Sequence, residues 1–283
     1  RIYRRDGLDR FKAFNEARRT TLRRWRDGLG LDTLRPRVLT SFIRNRLVDE
    51  VLLPLVGDNL SRQLGLNGSP QGLLLLISPP GYGKTTLIEY VADLLGFALV
   101  KINGPALGEH VTSLDPGQAP DQASAAELVK LNRAFAMGNN VICYVDDIQH
   151  TSAEFLQKFI SLCDATRRIE GVVDGEAQTF ELARRRFIMV MAGNPYTGSG
   201  QDFRIPDMLA NRADVHNLGD VAGAHDQAFA QSYIENACGV NEVLAPVIAR
   251  GRTELETLLV AAQGGTLKSE ALVHHYSPTE LSS

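Results

Sequence analysis

Cysteine is scarce in this chain: Cys143, Cys163 and Cys238 are the only three among 283 residues. An odd count, with each cysteine in an apolar-periodic segment, reads as reduced intracellular core thiols and argues against a disulfide-built or metal-clustered domain. Long hydrophobic runs are missing too. No stretch approaches the ~20 apolar residues that a membrane span needs, so the expected location is cytoplasmic, with no membrane partner. Aromatic residues are few, 7% with a single Trp. Only Trp25 falls among the basic clusters, so no interleaved aromatic series suggests base stacking. Repeats and low-complexity tracts are also lacking. The pair His274 and His275 has no Cys or acidic partner at ligand spacing and reads as surface histidine. The chain opens at Arg1 with neither Met nor a signal pattern, which reads as a fragment or trimmed chain.

What is present suffices for one large or two moderate domains with a proper core: 44% hydrophobic and 22% charged residues. The charge is split. Residues 1–46 hold 14 Lys and Arg against 5 Asp and Glu, a net of +9, and the remainder holds 16 against 28, a net of −12. On a helix from about Leu8 to Asp27, Arg19, Arg23 and Arg26 share one face. Two readings stay open there: a nucleic-acid or anionic-partner surface, or a solvated helix packing on an acidic neighbour.

The apolar run 73–77 leads directly into Ser78-Pro79-Pro80-Gly81-Tyr82-Gly83-Lys84-Thr85. A strand passing into a glycine-rich loop, with Lys-Thr opening a helix, wraps backbone N–H groups around phosphates and ends them at a helix N-terminus. The phosphate-loop pattern asks for Gly at its first position, where this chain has Ser78; the later positions fit. Lys84 is placed to reach the β- and γ-phosphates and Thr85 to ligate Mg²⁺. Pro80, Gly81, Tyr82, Gly83, Lys84, Thr85 and Thr86 are the candidate nucleotide-binding positions. The bland alternative is a Gly-rich turn with a solvated lysine.

A second apolar run, 141–145, ends in Asp146-Asp147. Acid at the carboxyl end of a buried strand lies where open α/β sheets bind ligands. Asp146 is placed to hold Mg²⁺ and Asp147 to polarise an attacking water. Alternatively, Asp147 starts a turn and Asp146 caps a helix. A third run, 187–192, ends in Gly193-Asn194-Pro195, where Asn194 can both donate and accept near a γ-phosphate without adding charge.

In this order the parts resemble the AAA+ ATPase family over roughly residues 40–260. The 78–85 segment looks like its Walker A, 141–147 its Walker B and Asn194 its sensor 1. The segment from Ile205 to Val215 resembles the one that carries an arginine finger, with Arg212 as the candidate and Arg204 as the fallback; Arg212 is expected at the sheet's ligand edge, facing outward. One departure is Asp147, which stands where the family usually has Glu. The stretch 168–180 reads as a hairpin turning at Asp174-Gly175, in a slot that resembles the pre-sensor-1 insertion of the MoxR-like branch. A second insertion known in some branches is not evident, since Ala123–Met137 reads as one helix. The chain also resembles the ATPase module of large bacterial DNA-repair-type AAA ATPases.

The resemblance implies ATP and Mg²⁺ as cofactors, and catalytic roles for Asp147, Asn194 and Arg212. It implies a homo-oligomeric ring, a hexamer among the options, acting on a partner the sequence does not identify. Rival functions are a DNA-acting motor and a nucleotide switch with little turnover. The expected fold is an α/β P-loop core, a parallel five-stranded sheet flanked by helices, with strands near 72–77, 97–102, 141–145, 186–192 and 214–218. The expected domains are a basic helical region over 1–66, the core over 67–219 and a helical lid with tail over 220–283, hinged at 219–223.

Overall fold

In a computed structural model, the described residues are 2–29, 34, 48–66, 71–196, 202–218, 234, 257–258 and 262. The chain divides into two compact units, one of residues 1–38 and 55–219, the other of residues 39–54 and 220–283. In the second unit the described segment Val48–Leu52 is a single π-helical turn with Val48 and Leu52 buried. Ile234, Thr257, Leu258 and Ala262 are helical. The expected hinge and nearly all of the expected lid and tail, including Cys238, His274 and His275, lie outside the described residues.

The first unit begins with α1 (Ile2–Leu29). It runs through Gly28. A glycine that close to a helix end costs only about 0.5–1 kcal/mol relative to Ala, too little to stop a helix of this length. Arg18, Arg19, Arg23 and Arg24 are exposed along it, as are Phe11, Phe14 and Leu22. Helix α2 (Leu53–Gln63) follows.

The α/β layer is then laid down as β1 (Leu74–Ile77), α3 (Lys84–Leu95), β2 (Ala98–Asn103), α4 (Gly104–Leu107), α5 (Gln122–Met137) and β3 (Val141–Asp146). After these come α6 (Ala153–Gln157), α7 (Ile160–Cys163), the hairpin β4 (Arg168–Val173) and β5 (Glu176–Glu181), β6 (Phe187–Gly193), α8 (Asp207–Ala210) and β7 (Asp214–Asn217). Five strands form one parallel sheet in the order β2-β3-β6-β1-β7. The expected strands are thus present within a residue or two at either end. They read as continuous apolar runs because both faces are covered: all seven residues of β6 are buried. On one side the core closes around Phe135 of α5, whose ring lies 5.9 Å from Phe180, 6.0 Å from Phe187 and 6.4 Å from Phe159.

Helix α5 is uninterrupted, as its sequence suggests. Asp121 caps it, accepting from the Ser124 N–H at 2.8 Å, while the Ser124 hydroxyl returns to the Asp121 N–H. After β3 the chain forms two short helices, α6 and α7, and not one continuous helix. Phe155 and Phe159 meet edge-to-face at 5.2 Å, both fully buried, and the backbone follows the core instead of a straight axis. The hairpin turns at Asp174 and Gly175 with φ of 53° and 82°, the left-handed pair of a type I′ turn. Its β4 strand is tied to α5 by the Val172 N–H donating to Asn132 Oδ1 at 2.8 Å. Most of β5 faces solvent.

The sheet's N-terminal edge is held by a buried polar network. The Arg167 guanidinium, fully buried, donates to the carbonyls of Gly72 and Phe187 at 3.1 Å each and to Gln63 Oε1 at 3.4 Å. Burial lowers its pKa to about 10. Gln63 also exchanges hydrogen bonds with the Met189 backbone, at 2.8 Å and 3.1 Å, and donates to Asn59 at 2.7 Å.

Candidate functional site

The loop from Ser78 to Gly83 leaves β1 between its two sheet neighbours, β6 and β7. It turns into α3 at Gly83, whose φ of 81° is a left-handed conformation that costs a side-chain-bearing residue roughly 1 kcal/mol or more. Lys84, the first residue of the helix, is folded back over the loop. Its ammonium donates to the Ser78 carbonyl at 2.7 Å, to the Ser78 hydroxyl at 3.2 Å and to the Pro79 carbonyl at 3.3 Å. A fourth bond reaches Asn194 Oδ1 at 2.9 Å, joining the phosphate loop to the end of β6. Burial lowers the Lys84 pKa, and the charges of Asp146 and Asp147 work against that shift. Ser78, which occupies the position where the pattern asks for glycine, is thus a ligand of the loop's lysine. Pro80 and Gly81 are exposed, and Tyr82, Gly83, Thr85 and Thr86 are half-buried.

Asp146 ends β3 beside this helix start. Thr85 Oγ1 donates to its Oδ2 at 3.1 Å, and the Asp147 N–H donates to its Oδ1 at 3.0 Å. A hydroxyl and a carboxylate at this spacing form a hard-oxygen donor pair. Mg²⁺ is held in this way, by one or two protein oxygens with phosphates and waters completing the shell. Among the described residues no group of three or more His, Cys, Asp or Glu could hold a metal alone. The donor set therefore fits Mg²⁺ carried on a nucleotide.

Asp147 takes a left-handed backbone, φ 53° and ψ 49°, which an Asp tolerates better than most residues. Its Oδ1 accepts from Gln149 Nε2 at 3.1 Å and faces Asn194 Nδ2 at 3.4 Å. Gln149 is buried, and its Oε1 accepts the Asn194 N–H at 3.0 Å. One glutamine thus holds both polar ends in register. The corner of β2 and α4 completes the mount. A Cβ added at Gly104 would lie inside contact distance of the Asp146 and Asp147 carbonyl oxygens and 2.8 Å from the Asp147 carbonyl carbon.

The structure therefore brings Lys84, Thr85, Asp146, Asp147 and Asn194 to one sheet edge. Arg212 is elsewhere. It precedes β7, whose first residue Asp214 pairs with Leu74 at the start of β1. The expectation that Arg212 sits at the ligand edge is corrected: the strands are parallel, so a residue entering β7 lies at the N-terminal edge, opposite the phosphate loop. Its guanidinium donates to Asp164 at 3.1 Å and 3.3 Å, with both side chains about half exposed. Arg204, the fallback, is exposed.

Two site residues carry no motif. Gln149 gave no sequence signal beyond its place two residues after Asp147. Tyr144 did. Two positions before Asp146, strand alternation puts it on the same face, and it is the one residue of 141–145 with a hydroxyl. It is fully buried, and burial first, then the Asp146 charge, drives its pKa well above the ordinary tyrosine value.

Residues 74–216, half of the chain, match the family described as ATPase family associated with various cellular activities (AAA). Among curated proteins, the chain is 42% identical over 65 residues to the nuclear valosin-containing protein-like of Mus musculus, covering 23% of this chain and 7% of that one. It is 35% identical over 105 residues to the Holliday junction branch migration complex subunit RuvB of Thermomicrobium roseum, covering 36% of this chain and 28% of that one. The chain thus spans less than a third of these relatives. Among solved structures, an S. cerevisiae Hsp104–ADP complex aligns with a TM-score of 0.46 at 15% identity, over 77% of this chain and 45% of that one.

Proposed function

Because the chain belongs to the AAA family of ATPases, we propose that this sheet edge hydrolyses ATP with Mg²⁺ and that turnover remodels a protein or nucleoprotein partner. The observation that carries the proposal is the Thr85–Asp146 contact at 3.1 Å beside a lysine already bonded to Asn194. Bound Mg²⁺ supplies neutralisation of the β- and γ-phosphate charge. The chain's own groups do the rest. The loop N–H groups and Lys84 hold the phosphates, and Thr85 and Asp146 hold the metal. Asp147 accepts a proton from the attacking water. Asn194, released from Lys84, accepts from that water through its amide oxygen and donates to the γ-phosphate through its amide N–H.

Arg212 is too far along the sheet to serve its own loop, so its role belongs to the site of a second copy in a ring, where it offsets transition-state charge. The hairpin 168–181 fits the pre-sensor-1 insertion of the MoxR-like branch and is the partner-facing element. Residues 1–66, 67–219 and 220–283 serve as extension, catalytic core and lid.

A second reading, a motor acting on DNA, is favoured by the exposed arginines of α1 and by the local similarity to RuvB. Phosphate release by the purified chain, measured over a protein-concentration series with and without DNA, tests both. Hydrolysis that rises with protein concentration and is unmoved by DNA is expected; stimulation by DNA selects the motor. Lys84→Ala should weaken ATP binding by about 1.5–3 kcal/mol, the worth of a charged hydrogen bond. Unchanged affinity in that variant, or no hydrolysis by the parent at any concentration, overturns the proposal in favour of a different loop role or of a nucleotide switch.

A further inference from the structure

We infer that Tyr144 is a magnesium-positioning residue: its buried hydroxyl fixes Thr85 and Asp146 in the arrangement that receives the metal. The inference rests on the Mg·ATP assignment of the site given above. Tyr144 Oη donates to Asp146 Oδ1 at 2.9 Å and lies 3.2 Å from Thr85 Oγ1, so a single hydroxyl touches both metal-holding side chains. The Asp146 carboxylate would otherwise turn about a broad, weakly restrained torsion. Here the Tyr144 hydroxyl and the Asp147 N–H both occupy Oδ1, at 2.9 Å and 3.0 Å. Oδ2 is left to Thr85, at 3.1 Å, and would stay available to a bound metal. With its one proton given to the carboxylate, the Thr85 hydroxyl keeps its lone pairs for the metal.

A phenylalanine would fill the same buried volume without a polar atom. Burying a hydroxyl gains nothing by itself and is costly when unpaired. Here the hydroxyl of Tyr144 gives its proton to Asp146, and its oxygen lies where Thr85 can share its own single proton between Asp146 Oδ2 and Tyr144 Oη. Partners of this kind, which hold a ligand and not the metal itself, typically cost about 10–100-fold in metal affinity or activity when removed.

The test is calorimetry of a non-hydrolysable ATP analogue, titrated into parent and Tyr144→Phe, once with excess EDTA and once with excess Mg²⁺. The ratio of the two affinities is the metal's contribution to binding. We expect Tyr144→Phe to keep the EDTA affinity within about twofold and to lower the Mg²⁺ ratio about tenfold. A ratio within twofold of the parent's overturns the inference. So does an equal loss in both titrations, which marks Tyr144 as a packing residue only. A parent whose affinity does not respond to Mg²⁺ sinks the Mg·ATP assignment instead. Should Tyr144→Phe not fold, Tyr144→Met removes the same hydroxyl with a flexible side chain and must show the same split; failure of both to fold assigns the hydroxyl to stability and refutes the positioning role.

Discussion

Gly104→Ala is a small change at a residue with no side chain of its own, and the geometry makes it a severe one. The new Cβ would stand 2.8 Å from the Asp147 carbonyl carbon, closer still to the carbonyl oxygens of Asp146 and Asp147, where ordinary contact begins at 3.4 Å. The atoms in the way are backbone, with no flexible side-chain end to swing aside. A displacement of at least 0.6 Å is therefore forced on the two acids or on the corner of β2 and α4. Overpacking of this kind costs about 1–3 kcal/mol, and in a domain of this size each kcal/mol lowers the melting temperature by about 2–4 °C. The kinetic effect should be larger than the thermal one, since a 1 Å misplacement at a reacting group costs about 10²-fold in rate. Phosphate release at saturating ATP, beside a thermal melt and an ATP titration, reads all three. The expected pattern is a modest melting shift, near-parental affinity for ATP without Mg²⁺ and turnover reduced by one to two orders of magnitude. Parental turnover would refute the argument that Gly104 sets the position of the strand-end acids.

Asp147→Asn should bind Mg·ATP as the parent does and lose hydrolysis, while Asp147→Glu should match or exceed the parent if the short carboxylate limits turnover; normal hydrolysis by Asp147→Asn would assign the base elsewhere. Arg212→Ala should lower turnover and leave ATP affinity nearly unchanged, and mixing it with Lys84→Ala protein should restore some activity in joint rings; full turnover by both Arg212→Ala and Arg204→Ala would defeat the shared site. Deleting Val173 to Glu176 should leave basal ATPase and the melt intact and abolish partner stimulation, because the pair that anchors the hairpin, Val172 on Asn132, lies outside the deletion; an unfolded product would make the tip core structure.

The sequence was most legible where structure is decided over a few residues. The apolar runs that become β1, β3 and β6, the Asp174-Gly175 turn and the unbroken helix 122–137 each follow from local chemistry. So does the meeting of Thr85 with Asp146, since each ends a strand or opens a helix at the same sheet edge. The edge that Arg212 occupies was legible and was misread: in a parallel sheet a residue just before the strand at 214–218 enters at the N-terminal edge, as the pairing of Leu74 with Asp214 shows. The burial of Arg167 was not legible. An arginine beside another arginine, before a hairpin, reads as surface charge, yet its three acceptors come from positions 63, 72 and 187 and enclose it completely. Tyr144 lay between these cases: it passed unremarked within its apolar run, although alternation sets it on the face of Asp146 and it has the one hydroxyl of 141–145.

The strand order has a consequence for how the chain is made. β1 carries the phosphate loop and lies at the heart of the sheet, yet Leu74 finds its partners only in Val190 and Asp214, 116 and 140 residues later. At about 5–20 residues per second of synthesis, the leucine strand waits roughly 6–23 s with both edges unpaired before β6 emerges. During that interval its backbone donors and acceptors are open to any other strand, the condition under which nascent chains associate wrongly. The β2–β3 pair, formed from chain made earlier than β6, cannot shelter it, because β6 must come between. Among the strands of the described sheet, the one that leads into the phosphate loop therefore waits longest for its first partner.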